Sequence, residues 1–169
     1  MVMDFEFRKQ VMDYHQGSEV IKYCYQCNRC TDNCPVSYLT DEFYTVKYDP
    51  RENILNSLLG YKDNIFESDP LTIWGCTVCD TCDEVCPQSI ELTEVFTFLK
   101  NESIKKGTAP DFFYQQAKMV YDHGKAIPMQ SAIERRRQGM GLPDIQEADV
   151  DELKNLMNNM GVNNYLKEE

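Results

Sequence analysis

The cysteines are the residues of this chain whose type and spacing could do chemistry. All eight fall into two short blocks with the same spacing, C-x2-C-x2-C-x3-C, each followed by proline. The members of the first block are Cys24, Cys27, Cys30 and Cys34, and those of the second are Cys76, Cys79, Cys82 and Cys86. The second block repeats the first at an offset of 52 residues, so the chain carries two copies of one kind of site.

Three kinds of chemistry could use these thiols. Disulfide bonds are disfavoured, because a reducing cytosol opposes them and crowded cysteines cannot all pair without strained geometry. Structural zinc sites usually combine two C-x2-C pairs from separate turns, whereas each block here offers three close cysteines and a fourth before proline. Iron–sulfur clusters fit best, since each iron of a [4Fe–4S] cubane takes one thiolate. We therefore predict two [4Fe–4S] clusters.

The spacing also predicts which cysteines share a cluster. The first three cysteines of a block can wrap around three corners of one cubane, while the fourth points away and binds the other cluster. One predicted ligand set is Cys24, Cys27, Cys30 and Cys86, and the other is Cys76, Cys79, Cys82 and Cys34. Such crossed ligation would hold the two clusters close together.

Helices are expected to position these blocks, because no segment shows a convincing alternating strand pattern. One helix should start at Asp49 and Pro50, which suit a cap and a first turn, and should end at Gly60. The clearest helix spans 92–106 and is followed by Gly107. Their expected apolar faces are Ile54, Leu55, Leu58 and Leu59 in the first, and Leu92, Val95, Phe96 and Leu99 in the second. Further helices are expected over 5–15, from 68–70 onward, and over 110–123, 130–138 and 149–160, with strand or turn over 18–23.

The predicted fold class is therefore all-α, with three parts. An N-terminal helix occupies 1–17, a two-cluster core occupies 18–107, and a helical extension that docks partners occupies 108–169. Arg135, Arg136 and Arg137 form a concentrated positive patch in the extension. This patch fits a partner contact and an ordinary solvated helix face equally well.

Composition excludes several functions. The chain has 28 acidic and 17 basic side chains, a net charge of −11, which argues against nucleic acid and anionic membranes as partners. No segment approaches the roughly 20 apolar residues of a membrane-spanning helix. The N-terminal sequence lacks the pattern of a secretion signal, so a cytoplasmic location is expected. Neither a nucleotide-binding loop nor a catalytic nucleophile is evident, so we expect no catalytic residue and a role in carrying electrons between other proteins.

Charges near the two blocks differ. Lys22 and Arg29 lie beside or within the first block, whereas Asp80, Asp83 and Glu84 lie within the second. Because positive charge favours the more negative, reduced form of a cluster, we predict the higher potential for the cluster held mainly by the first block. The alternative is that these are solvated charges with little effect on either potential.

The chain resembles the alpha-helical ferredoxins, in which two such blocks about 50 residues apart lie in an all-helical setting. Within that superfamily it is most similar to the C subunits of the soluble heterodisulfide reductases of methanogens. The similarity includes the Tyr-Cys-Tyr-Gln-Cys run at 23–27, the Asp-Pro-Arg run at 49–51, and Trp74 two residues before Cys76. It covers roughly residues 5–145. Asn28 stands where many relatives have glycine.

This resemblance implies a place in a larger complex. The catalytic subunits of such complexes carry CCG motifs, which contain two adjacent cysteines, and this sequence has no adjacent cysteines. The resemblance therefore implies that the substrate disulfide is reduced on a neighbouring catalytic subunit. Electrons would arrive from a flavin-bearing iron–sulfur subunit and reduce the mixed disulfide of coenzyme M and coenzyme B in methanogenesis, and a larger assembly with a hydrogenase or formate dehydrogenase also fits. The alternatives are an iron–sulfur subunit of another oxidoreductase, quinone-linked or glycolate-oxidase-like, and a free-standing ferredoxin or structural zinc module.

Overall fold

The computed structural model describes residues 2–15, 18–43, 47–127, 129–146 and 148–166. Within these ranges all regular structure is helical and no β-strand is present, which confirms the all-α fold class. The chain divides into two compact units, Met1–Ala109 and Pro110–Glu169. None of the described helices is both long enough and apolar enough to cross a membrane.

The first unit contains both cysteine blocks. Its helices are α1 (Phe5–Asp13), a 3₁₀ helix (Ser18–Tyr23), α2 (Arg29–Asp32), α3 (Pro35–Phe43), α4 (Pro50–Leu59), α5 (Lys62–Phe66), α6 (Leu71–Trp74), α7 (Thr81–Glu84) and α8 (Leu92–Lys106). The segment expected as strand or turn, 18–23, is thus a 3₁₀ helix, which is a run of tight turns. Helix α1 ends at Asp13, two residues before the predicted end at His15, and Gly17, near which the sequence places the end of this helix, lies outside the described residues.

Helices α4 and α8 begin and end as their sequences predict. The Asp49 carboxylate accepts a hydrogen bond from the Glu52 amide at 3.1 Å and caps α4. Gly60 ends α4 with φ of 73°, and a side chain there would also collide with the backbone of Asp4, 2.4 Å from the Cβ position. Gly107 ends α8 in the same left-handed conformation. The predicted apolar face of α8 is confirmed, because Leu92, Val95, Phe96 and Leu99 are all buried.

The buried face of α4 differs from the prediction. Leu59 is exposed, whereas Asn53, Asn56 and Ser57 are buried beside Ile54. The reason is that α4 lies between several short elements, whose ends leave backbone and side-chain polar groups to be satisfied. The Asn53 amide donates to the Thr72 carbonyl, and the Asn56 amide oxygen accepts from Asn64 at 3.2 Å.

The hydrophobic core of the first unit reaches the cysteines. Cys82 belongs to the buried cluster formed around Ile21, Ile54 and Leu99. Four further cysteines pack against this cluster, namely Cys24, Cys30, Cys76 and Cys86. Helix α2 packs against α7, so the folded core brings the two blocks together.

The second unit is a separate helical group. It contains α9 (Asp111–His123), α10 (Ser131–Gly139), α11 (Val150–Asn159) and a 3₁₀ helix (Val162–Tyr165), close to the predicted segments. Helix α9 packs against α11, and the Tyr121 hydroxyl bonds the Asn158 side chain at 3.1 Å. In the arginine patch, the Arg137 guanidinium donates to the Pro143 carbonyl at 2.9 Å, which fixes one of its three members within this unit.

Candidate metal centre

The two cysteine blocks have the same backbone. Helices α2 and α7 occupy equivalent positions, each beginning one residue before the third cysteine of its block. The backbone amide of Thr31 donates to the Asn28 carbonyl, and the amide of Asp83 donates to the Asp80 carbonyl. Both hydrogen bonds are 3.0 Å long. Each block therefore folds as a loop that enters one short turn of helix, and the sequence repeat is also a structural repeat.

The loops owe their shape to residues with positive φ at two equivalent positions. Gln26 and Val78 have φ of 61° and 54°, and Asn28 and Asp80 have φ of 70° and 59°. Residues in this region reverse the direction of the chain sharply, which a tight C-x2-C-x2-C loop requires. Asparagine and aspartate tolerate this conformation better than most residues, which explains how Asn28 can stand at a position suited to glycine.

Four cysteines from both blocks line one small cavity. These are Cys34 of the first block with Cys76, Cys79 and Cys82 of the second. Apolar groups of Tyr48, Pro50 and Phe96 form much of the remaining wall. This group is the second predicted ligand set.

The other predicted set is connected through pairs of side chains that influence one another's ionisation. The Cys24 side chain lies near Cys30, whose pKa is raised to about 11 by burial first and then by this neighbour. Desolvation raises the pKa of the Tyr25 hydroxyl, and the nearby side chains of Cys27 and Cys86 raise it further, while Arg29 opposes the change. The structure thus places the fourth cysteine of the second block close to the loop of the first.

The donor set fits iron–sulfur clusters. All eight side chains are free thiols. Burial raises the pKa of Cys34 and Cys82, while the Thr81 hydroxyl and amide lower that of Cys79. Because a metal binds the thiolate, the positive charge of iron would offset the cost of ionising the buried members.

Donors also point at the sulfurs. The amides of Ser37, Val78 and Ile90 each lie 3.4 Å from a cysteine sulfur, those of Cys34, Cys76 and Cys86 respectively. The Gln26 side-chain amide donates to Cys24 Sγ at 3.3 Å. Such hydrogen bonds to cysteine sulfur are a main influence on the potential of a bound cluster.

Comparison with known proteins agrees with this site. Residues 20–90, which include both blocks, match the 4Fe-4S dicluster domain family. The chain is 33% identical over 146 residues to the C2 subunit of the H(2)/formate:CoB-CoM heterodisulfide,ferredoxin reductase of Methanococcus maripaludis, covering 83% of this chain and 74% of that protein. It is 34% identical over 143 residues to the second iron-sulfur C subunit of the CoB--CoM heterodisulfide reductase of Methanocaldococcus jannaschii, covering 81% and 72%. A third relative, the C subunit of the H(2):CoB-CoM heterodisulfide,ferredoxin reductase of Methanothermobacter marburgensis, is 31% identical over 143 residues, covering 85% and 72%.

The chain belongs to the family of heterodisulfide reductase C subunits. The resemblance stated from the sequence is therefore confirmed. The dicluster match includes both cysteine blocks and supports iron–sulfur clusters of the 4Fe–4S type in this chain.

In this member of the family, a hydroxyl–carboxylate pair connects each cysteine block to the start of a helix. The Thr31 hydroxyl donates to Asp49 at 2.6 Å and accepts from the Arg51 amide at 3.2 Å. At the equivalent position of the second block, Asp83 accepts from the amide of Thr93 at 3.1 Å and from its hydroxyl. Helices α4 and α8 are thereby fixed relative to the short helices of the blocks.

Two residues beside Cys76 were missed in the sequence. The Lys100 ammonium, on α8, donates to the Cys76 carbonyl at 2.6 Å and lies 5.5 Å from the centre of the Trp74 ring. Burial lowers the pKa of Lys100, and the Cys76 side chain opposes that change. Tyr48 is the second residue, and it lines the cavity with the four cysteines. Neither lies within a block, and no sequence signal marks either of them, because only the fold brings positions 48 and 100 to Cys76.

Proposed function

We propose that the chain is an electron-transfer subunit of a heterodisulfide reductase complex, which relays electrons through two [4Fe–4S] clusters. The observation that carries this proposal is the convergence of the two cysteine blocks at α2 and α7 in a member of this family. When bound, each cluster would accept and release one electron at a time. The chain itself holds the clusters and sets their surroundings, and we assign it no catalytic residue.

Crossed ligation is the assignment that the geometry supports best. One cluster would be held by Cys24, Cys27, Cys30 and Cys86, and the other by Cys76, Cys79, Cys82 and Cys34. The shared cavity supports the second set, and the influence of both Cys27 and Cys86 on the pKa of the Tyr25 hydroxyl supports the first.

Exposure of the cysteines supports a relay with two open ends. The middle cysteine of each loop, Cys27 in the first block and Cys79 in the second, is exposed. The third cysteine lies deeper in both blocks, half-buried at Cys30 and buried at Cys82. Each proposed cluster would therefore have one edge near the surface, where a partner's redox centre could approach, and one side against the protein core.

The partners follow from the family and from what this chain lacks. A flavin-bearing iron–sulfur subunit would supply electrons, and a catalytic subunit with CCG motifs would reduce the heterodisulfide of coenzymes M and B. The Methanococcus relative is named for H2 and formate, which favours an assembly that also contains a hydrogenase or formate dehydrogenase. The extension at 108–169 would dock partners, and the exposed Arg136 on α10 is the residue to test there.

Paired ligand variants test the crossed assignment. Cys34→Ala should change the electron paramagnetic resonance signal of the cluster that Cys79→Ala changes, and Cys86→Ala should change the one that Cys27→Ala changes. Iron and acid-labile sulfide are measured on the same anaerobic samples. If Cys34→Ala alters the cluster that Cys27→Ala alters, the ligand sets are not crossed. Stoichiometric zinc without sulfide in the unaltered chain would contradict the iron–sulfur assignment altogether.

Purification from the host tests the relay. The tagged chain is isolated anaerobically, and its companions are identified by mass spectrometry. We expect a flavoprotein and a CCG-motif chain in matched amounts, and we expect heterodisulfide reduction by this complex to fail when the two-cluster chain is omitted from reassembly. A membrane cytochrome or an unrelated dehydrogenase in their place would favour the alternative of an iron–sulfur subunit in another oxidoreductase.

A further inference from the structure

Tyr48 has a buried hydroxyl group without a hydrogen-bond partner. The residue lies between α3 and α4 and is 1% exposed. Among the residues that the structure describes, none accepts from or donates to its hydroxyl. A buried tyrosine hydroxyl usually finds a partner, so an unpartnered one beside a candidate cluster site is available to a group bound there.

The hydroxyl faces the cysteine cavity. Tyr48 lines this cavity together with Cys34, Cys76 and Cys82. Desolvation raises the pKa of the phenol well above its usual value, and the three cysteines, with Cys76 first, raise it further. A tyrosine hydroxyl ordinarily carries its proton at neutral pH, so it can act as a donor.

The ring of Tyr48 is held rigidly. It packs edge-on against Phe96, with ring centres 6.3 Å apart. Gly75 leaves room for it, because a Cβ at that position would lie 2.7 Å from the Tyr48 ring. The Tyr48 amide donates to the Thr40 hydroxyl at 3.0 Å. A donor fixed in this way loses little freedom when it forms a hydrogen bond.

We infer that the Tyr48 hydroxyl donates a hydrogen bond to the sulfur of Cys76 in the cluster held by Cys34, Cys76, Cys79 and Cys82, and that this bond raises the reduction potential of that cluster. The inference rests on the proposed cluster function. On reduction one electron enters the cluster, no bond breaks, and the proton stays on Tyr48. The bond favours the reduced form, because the sulfur then carries more negative charge.

The first block has a different donor. The Gln26 side-chain amide reaches Cys24 from within the loop itself, and Gln26 is only half-buried. Tyr48 reaches the second block from outside it and lies fully in the core. Loss of the Tyr48 hydroxyl should therefore affect one cluster only.

The test compares Tyr48→Phe with Tyr14→Phe in the full-length chain with both clusters bound. Tyr14 is a suitable control, because its hydroxyl is likewise buried without a hydrogen-bond partner among the described residues. Its ring packs against Phe98, with ring centres 5.2 Å apart, instead of lining the cysteine cavity. Redox titration with dithionite is followed by electron paramagnetic resonance. In Tyr48→Phe the ratio of reduced to oxidised cluster, for the cluster that Cys79→Ser perturbs, should fall about tenfold at fixed potential, which is about 59 mV for one electron. Neither cluster should shift in Tyr14→Phe.

Two outcomes would overturn the inference. One is an unchanged midpoint in Tyr48→Phe with full iron and sulfide, and the other is an equal shift of both clusters. If Tyr48→Phe fails to bind its clusters, the second variant has 3-fluorotyrosine at position 48, which keeps the ring and the hydroxyl but is a stronger hydrogen-bond donor. The midpoint potential of the second-block cluster should then rise. A fall or no change would contradict the hydrogen bond. An unaltered chain that lacks two clusters by iron and sulfide would instead refute the proposed function.

Discussion

The two cysteine blocks share a backbone but not their surroundings. Both use positive φ at the same two positions and both contain a four-residue helix at the same place. The hydroxyl–carboxylate pairs, however, are reversed: Thr31 of the first block bonds Asp49 of α4, whereas Asp83 of the second block bonds Thr93 of α8. The repeated motif therefore determines the positions of the cysteines. The pairing with the neighbouring helix determines whether the carboxylate of each pair belongs to the block or to that helix.

The chain also leaves the two blocks differently. Pro35 is the first residue of α3, whereas Pro87 is followed by a turn in which Ser89 has φ of 51°, and α8 begins only at Leu92. As a result, the amide that donates to the fourth cysteine belongs to the third residue after it in the first block, Ser37. In the second block it belongs to the fourth residue after it, Ile90. The same motif can thus enter a helix directly or through a turn without losing an amide directed at its sulfur.

Burial changes the interpretation of the nearby charges. Lys22, Arg29, Asp80 and Glu84, four of the five charges noted in the sequence, are exposed, so solvent and salt screen them. Asp83 is half-buried and its carboxylate lies 3.5 Å from Cys82 Sγ. Lys100, half-buried beside Cys76, adds an opposite charge on the same side. The predicted order of potentials stays a prediction, but the charges that matter most surround the second block.

Removal of the Lys100 charge is expected to have the largest effect on this comparison. The Lys100 ammonium holds a positive charge beside Cys76, and in a half-buried position that charge would stabilise the more negative, reduced cluster more than the oxidised one. Lys100→Met should therefore lower the potential of the second-block cluster, with a reduced fraction about tenfold smaller at fixed potential. The measurement is an anaerobic redox titration followed by electron paramagnetic resonance.

Lys105→Met is the matched control for this variant. Lys105 is on the same helix but is exposed and paired with Glu102 at 2.7 Å. Its loss should leave both midpoints in place. If the two variants behave alike, Lys100 acts through the overall charge of the chain and the contrast between the blocks loses its main cause.

Neutralisation of the two carboxylates should give a smaller effect of opposite sign. Asp83→Asn keeps the shape of the Thr93 pair but removes a negative charge beside Cys82, so the second-block cluster should become easier to reduce, by about threefold to tenfold at fixed potential. Asp49→Asn keeps a good helix cap. The carboxylate that it removes contacts the first block only through the Thr31 hydroxyl. We expect a smaller shift there, and equal shifts in the two variants would contradict the difference between the blocks.

The sequence predicted the parts of this site that depend on local pattern. Cysteine spacing gave the candidate ligands, which the fold brings together, and the caps at Asp49, Gly60 and Gly107 located α4 and α8. Helices α2 and α7 were not predicted, because four residues are too few to show a helical period. Lys100 and Tyr48 were not predicted either, since each lies more than 20 positions from Cys76 along the chain and reaches it only through the packing of the core.

The smallest expected effect concerns strain at the positions with positive φ. Val78 and Gln26 are equivalent, but a β-branched side chain suits the left-handed region least. Val78→Gly should therefore stabilise the folded chain by about 0.5–1 kcal/mol, despite the greater freedom of glycine in the unfolded state. Gln26→Gly should gain less, because it also removes the amide that bonds Cys24 Sγ. The measurement is the anaerobic unfolding midpoint of each variant with both clusters bound, where about 1 kcal/mol corresponds to roughly 2–4 °C. A larger gain in Gln26→Gly would show that the loop of the first block, with asparagine at the next left-handed position, is the more strained of the two.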